Sequence, residues 1–283
     1  MNKKIVLDST NYVEGTGNQY EYEFSMEQDT TNWKVAVGKV QIFNCVYNIS
    51  SSIGNNTYKI KWLGQEYSNT IRDGYYSVSD LNTEIQAMMV KNKLYTIPST
   101  STSQYTVYLA LYTDDTGYGV SFTNSLIPTT NTGLSLPSGA TWSLPSVSEA
   151  PQIKLCDGLC DLLGFSSSYY NTYFPNSTSA TIVYSDGTTE IQYIDSYSIT
   201  CNLINHGGFS KNTHIDVLHS VALDVSYGSM IVDKPHPFFI DCVSMRTKKI
   251  IIKIKDQKGN NINLKDKALS IELYIEIPKN NKI

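Results

Sequence analysis

Charge is scarce in this 283-residue chain: Lys, Arg, Asp and Glu together make up 17%, and the formal net charge is -4. A general nucleic-acid binder, which must neutralise many phosphates, does not fit that balance. Phe is scarce as well, 8 residues against 21 Tyr. No apolar run approaches a membrane span, and the N-terminal MNKKIVLDSTNY has no stretch of signal-peptide length. The expectation is a soluble protein of a reducing compartment, with no membrane insertion. Five cysteines, Cys45, Cys156, Cys160, Cys201 and Cys242, are odd in number and widely spaced, which does not suit a disulfide framework. Asn48, Asn55 and Asn176 stand in glycosylation sequons that would stay unmodified without secretion.

What is present is Tyr, Thr, Ser and Asn around a 41% hydrophobic content, enough for a sizeable core. That mix fits a mainly β protein with polar, uncharged surfaces suited to assembly. The charge is uneven. Residues 234–283 carry eleven Lys and Arg against five Asp and Glu, a net of +6; residues 1–233 carry eleven against twenty-one, a net of -10. Two differently charged faces would give this pattern, and so would a solvated edge strand protected by lysines.

Three zones follow one another. In the first, NQYEYEFS (18–25) and WKVAVGKVQIFNCVYNI (33–49) read as two long strands joined by the polar MEQDTTN, with Gly38 marking a bulge. The last zone is strand-like throughout: SYSITCNLI, IDVLHSVALDVSYG, PFFIDCV, KKIIIKIK and ALSIELYIEI, with DQKGNN opening a hairpin connection between the final two. Between them the strands TYKIKWLG, EYSNTI, YTVYLALYT and YGVSFT accompany two helices. The first helix begins at Ser77, an N-cap with Asp80 three positions on, and Val78, Leu81, Ile85 and Met88 form its apolar stripe; Gly74 before it suits a turn with positive φ. The second has the stripe Leu155, Leu159, Leu162 and Leu163 and ends at Gly164. The expected organisation is a β-sandwich from residues 1–50 and 195–283, interrupted by an inserted α+β subdomain at 51–194. Seven or eight strands suit a jelly roll, although periodicity alone does not separate it from an immunoglobulin-like sandwich.

Signals for chemistry are few. Asp115-Thr116-Gly117 is the aspartic-protease tripeptide, but DDTG between two strand-like runs is hairpin-turn chemistry. His206, His214, His219 and His236 form no ligand spacing; His214 and His219, five apart, fall on opposite faces of a strand. Cys156 and Cys160 share a helix face without a second pair, and read as buried thiols. No nucleophile elbow is present, and the glycines and lysine of a phosphate loop are missing before the first helix. No enzyme activity, cofactor or metal is expected. The stretch SSSYYNTYF places Tyr169, Tyr170 and Tyr173 where they could contact sugars or proteins, or pack a long loop.

Taken in order, WKVAVGKVQIFNCVYNISSSIGNNTYKI, TIRDGYYSVSDLNTEI, LCDLLGF, SYSITCNLI and KKIIIKIKDQKGNNINLKDKALSIELYIEI resemble the penton-type minor capsid proteins of virophages and polinton-like viruses. The matching positions are Tyr47, Asn48 and Ile49; Ile71, Gly74, Tyr76 and Leu81; Leu163, Gly164 and Phe165; and Asp256 and Gly259. The resemblance implies a single jelly roll with an inserted subdomain on the outer side. Five copies would close each capsid vertex beside trimers of the major capsid protein, in virions assembled inside the host cell. If the basic C-terminal stretch lies on the inner side, Lys248, Lys249, Lys253 and Lys255 are candidates for nonspecific contact with packaged DNA, and Tyr169, Tyr170 and Tyr173 are candidates for an outer-surface contact. A jelly-roll carbohydrate- or receptor-binding module is the alternative reading.

Overall fold

The computed structural model describes residues 2–16, 18–101, 103–204, 208–210 and 213–278, and of residues 2, 208–210 and 213–215 the backbone alone. His206 therefore lies outside the described residues, as does the side chain of His214. The elements, in chain order, are β1 (Asn2–Asp8), β2 (Gln19–Asp29), β3 (Lys34–Phe43), β4 (Thr57–Trp62), β5 (Gln65–Thr70), α1 (Val78–Lys91), β6 (Ile97–Pro98), β7 (Leu109–Thr113), β8 (Val120–Asn124) and β9 (Leu134–Ser135). They continue with β10 (Gln152–Leu155), α2 (Asp157–Leu163), β11 (Thr181–Tyr184), β12 (Ser196–Cys201), β13 (Gly208–Ser210), β14 (Thr213–Ile215), β15 (Val217–Ala222), β16 (Met230–Asp233), β17 (Ile240–Asp241), β18 (Arg246–Asp256) and β19 (Leu269–Glu276). The chain divides into two compact units, Met1–Val46 with Ile194–Ile283, and Tyr47–Tyr193.

The first unit consists mainly of eight longer strands in two antiparallel sheets, ordered β1-β19-β3-β16 and β15-β12-β18-β2. Counted along the chain as strands one to eight, the sheets read 1-8-3-6 and 5-4-7-2. That is the jelly-roll order, in which every connection except the fourth to the fifth passes from one sheet to the other. Alternation supplies the core. Ile5 and Leu7, Val35, Val37, Val40 and Ile42, and Leu269, Ile271, Leu273 and Ile275 are buried on one sheet, and Ile250, Ile252, Ile254, Tyr197 and Ile199 on the other. Each such side chain contributes roughly 1.5–3 kcal/mol on full burial. Gly38 is the extra residue where Glu272 pairs Lys39 and Leu273 pairs Val37. A Cβ there would stand 2.3 Å from the Tyr274 ring, so the bulge and its glycine are required together.

Four sequence expectations change here. The final two strands do not form a hairpin: β18 and β19 belong to different sheets, and residues 257–268 carry the chain across. MEQD is not a connection but the end of β2, whose Asp29 and Gln28 pair Arg246 and Thr247. The strand expected to reach Ile49 stops at Phe43, and PFFIDCV contributes only the two residues of β17.

In the second unit, sheets β10-β4-β5 and β11-β8-β7 accompany α1 and α2. Their apolar sides share one core that includes Ile60, Trp62, Leu81, Ile85, Met89, Phe122, Leu159, Leu163, Phe165 and Phe174. Helix α1 starts at a capping box, Ser77 Oγ accepting from the Asp80 amide at 3.1 Å while the Asp80 carboxylate accepts from the Ser77 amide at 2.9 Å. Leu155 closes β10 rather than opening α2, and Leu159, Cys160, Leu162 and Leu163 form the buried face of that helix. Asp115-Thr116-Gly117 lies in the turn joining β7 and β8. There Asp114 Oδ1 accepts from the Thr116 amide, the Thr116 hydroxyl and the Gly119 amide, and Gly117 has φ 74°.

Candidate functional site

The family-motif positions do not gather into one cleft; they sit at the joints of each unit. Asn48 is 1% exposed. Its Nδ2 donates to the carbonyls of Tyr76 at 2.8 Å and Ile191 at 3.0 Å, and its Oδ1 accepts from the Tyr76 amide at 2.8 Å. One side chain thus ties the first residues of the second unit to the start of α1 and to the unit's last segment. The Tyr47 carbonyl accepts from the Tyr193 hydroxyl at 3.3 Å beside it. Ile49 and Gly74 exchange backbone bonds of 3.1 and 2.9 Å. Asn55 continues the network, donating to the Asn48 carbonyl at 2.7 Å and accepting from the Ser50 amide at 2.8 Å. Gly74 does not have positive φ, contrary to expectation; a Cβ there would stand 2.9 Å from the Tyr76 ring, which would have to shift to admit it. The Tyr76 hydroxyl donates to the Arg72 carbonyl at 2.9 Å, and Ile71 and Leu81 are buried.

Gly164 caps α2 in the left-handed conformation, φ 77°, and a Cβ there would stand 2.5 Å from the Gly187 carbonyl oxygen. Phe165 follows into the core against Phe122 and Phe174. In the first unit the buried Asp256 carboxylate accepts from the Lys258 and Asn260 amides at 2.9 and 2.7 Å and from Asn260 Nδ2 at 2.9 Å. Gly259 completes the turn with φ 83°. It begins the crossing between sheets.

Among the lysines of β18, Lys249 is bonded to Glu21 at 2.7 Å and faces Glu23 in register, and the Glu21 carboxyl is held below its ordinary range, first by Lys249. Lys248 is exposed. Lys253 and Lys255 border a groove of about 300 Å³ with Thr200, Asn202 and Asp216. This sheet face is basic but interleaved with carboxylates. His219 lies 2.6 Å from Asp233, bridging the edge strands β15 and β16.

The chain is similar over 98% of its length, and over 98% of the other chain, to the penton protein of mavirus, with a TM-score of 0.43 and 9% identity. It is similar over 97% of both chains to a chain of the Sputnik virophage structure, with a TM-score of 0.40 and 10% identity. No family model matches the sequence, and no curated protein matches it.

The three tyrosines have separate surroundings. The Tyr169 ring packs against Phe165 and Phe174, at centroid distances of 5.2 and 4.9 Å. The Tyr170 hydroxyl donates to the Asp161 carboxylate, which pushes its pKa up to about 12. Tyr173 lies over the solvent side of the β10-β4-β5 sheet, with the ammonium groups of Lys61 and Lys154 at 5.6 and 5.8 Å from its ring centroid. Those two lysines were missed by sequence reasoning. The signal was present as period-two alternation in YKIKW and QIKL, where the polar residues share the outward face.

Among the described residues, no three His, Cys, Asp or Glu side chains are placed to hold a metal ion. Burial pushes the Cys160 and Cys201 thiols up to about 12, which leaves almost no thiolate at neutral pH.

Proposed function

We propose that this chain is a structural capsid protein, a penton whose copies close the fivefold vertices of an icosahedral shell against the major capsid protein. The observation that carries the reading is a complete jelly roll whose third-to-fourth connection leads through a second unit tied at both ends by one motif residue, Asn48. Capsid proteins are among the recurrent users of this strand order. The ordered motifs that resemble penton-type proteins occupy the joints of the fold, where substitution would be felt most.

Closing a ring of five needs a head-to-tail contact between two different surfaces of each copy. One candidate surface lies at the β16 edge, where Met230, Val232 and Phe238 are 44%, 51% and 78% exposed. The other sheet presents a different surface, with Lys248, Lys253 and Lys255 beside Glu21, Glu23 and Asp216. A head-to-tail ring uses such unlike surfaces. The same lysines are the candidate contact to packaged DNA. That contact would be nonspecific and weaken with salt, and unaltered DNA content after Lys253→Glu with Lys255→Glu would remove it.

The test is co-expression with the major capsid protein, followed by imaging of the shells. Density at the fivefold vertices that depends on this chain supports the reading; identical vertices with and without it would overturn it.

A further inference from the structure

In the second unit, three separate segments meet on the solvent side of one small sheet. The β4–β10 register sets Lys61 opposite Gln152 and Lys59 opposite Lys154, so these four side chains share a face. Lys59 is paired with Glu66 at 3.1 Å. Lys61 and Lys154 have no ion pair among the described residues, and their ammonium groups lie 5.6 and 5.8 Å from the centroid of the Tyr173 ring. The Tyr173 hydroxyl is buried beside Glu66, whose carboxyl is held below its ordinary range first by that hydroxyl and then by Lys59. Two cations sharing one aromatic ring repel each other, and an anion within reach of both relieves that repulsion.

A groove of about 380 Å³ begins at Lys61 and runs between Gln152, Glu149, Ser148, Ser177 and Thr178. Its apolar wall is Leu63 and Val147. Val147 is 71% exposed, and Leu63 is held at φ 47°, a left-handed conformation that leucine adopts only under strain. Amide, hydroxyl and carboxylate groups lining one groove with small apolar surfaces match a sugar ring, which has hydroxyls at its rim and C–H groups on its face.

We propose that this face binds an acidic saccharide, its carboxylate or sulfate between Lys61 and Lys154 and its ring in the groove. A nucleic acid fits less well: Lys61 and Lys154 are two cations with Glu66 and Glu149 at their sides, against the several phosphates a nucleic-acid site neutralises. A neutral sugar would make no charge-assisted hydrogen bond to the two lysines. The inference goes beyond the capsid reading and does not need it.

The test is binding of the full-length protein to 3′-sialyllactose, 6-sulfo-lactose and neutral lactose by saturation-transfer NMR and titration. At least one acidic probe should bind about tenfold more tightly than lactose, since each charge-assisted hydrogen bond is worth about that factor. Which probe binds identifies the acid as carboxylate or sulfate. Lys61→Ala with Lys154→Ala should abolish the preference at unchanged melting temperature, Lys61→Arg with Lys154→Arg should retain it, and Lys59→Ala should leave binding within about twofold. Equal binding of all three sugars, no binding, or a preference that survives the double alanine variant would overturn the proposal. A chain that prefers the acid yet never joins a shell would remove the capsid reading and leave this one standing.

Discussion

Replacing Asn48 by Ala removes one side chain and three hydrogen bonds, of 2.8, 3.0 and 2.8 Å. The site is 1% exposed, so the Tyr76 amide and the Tyr76 and Ile191 carbonyls lose their partner with little access to water. At about 1 kcal/mol for each bond the loss is about 3 kcal/mol, more than a hundredfold in the local opening equilibrium. Hydrogen exchange by mass spectrometry on peptides spanning 48–56 and 71–77 should show that acceleration, because local opening sets the exchange rate of such amides. Asn48→Asp adds a test of chemistry at constant shape. One oxygen keeps accepting from Tyr76, while the other replaces two donations with an acceptor facing two carbonyls. The carboxyl pKa in the folded chain must then lie above its unfolded value of about 3.9. A raised folded pKa gives stability that is present below the unfolded value and lost as pH rises through the folded one, so Asn48→Asp should be destabilised at pH 7 and recover in acid. Exchange within about threefold of the parent for Asn48→Ala, or a neutral-pH profile of Asn48→Asp equal to the parent, would refute the account of this joint.

Three further outcomes follow from the same geometry. Gly164→Ala combines positive φ with backbone oxygens 2.5 and 2.7 Å from the new Cβ; it should cost more than ~1 kcal/mol, read as a fall in thermal midpoint. Gly38→Ala meets the Tyr274 ring and should cost about 1–3 kcal/mol in urea unfolding, with Tyr274→Ala in the same chain returning part of the loss through a measurable coupling energy. The Cys160 and Cys201 thiols, raised to about 12 by burial, contribute stability that is complete below the unfolded thiol value of about 8.5 and is lost as pH rises toward 12. The urea midpoint should therefore hold between pH 7 and 8 and fall by pH 10, and alkylation of both thiols at pH 8 should require unfolding.

Much of the fold was legible because local chemistry stated it. The mainly β class followed from alternation and from Tyr and Thr content, α1 from Ser77 and Asp80 with its apolar stripe, and the β3 bulge from one glycine among valines. Sheet partnership was not legible. A period of two tells which side of β18 and β19 is buried, but not that each lies in a different sheet, since both sheets bury the same kind of face. Gly74 was assigned the wrong necessity because a sequence shows the glycine and not the ring that crosses it. The Lys61, Lys154 and Tyr173 cluster was hidden for a related reason: its members come from three segments, and each by itself is an ordinary surface residue. Tyr169, for which the serine-rich stretch left surface contact and loop packing both open, packs against Phe165 and Phe174.

The central claim is that this jelly roll works by closing a ring of five at a capsid vertex. The most direct measurement is the mass of the purified full-length chain by light scattering, alone and after addition of the major capsid protein. The account predicts a species of five times 31.6 kDa, 158 kDa, alone or on the assembled shell. A 31.6 kDa monomer that ignores the major capsid protein under assembly conditions would contradict it.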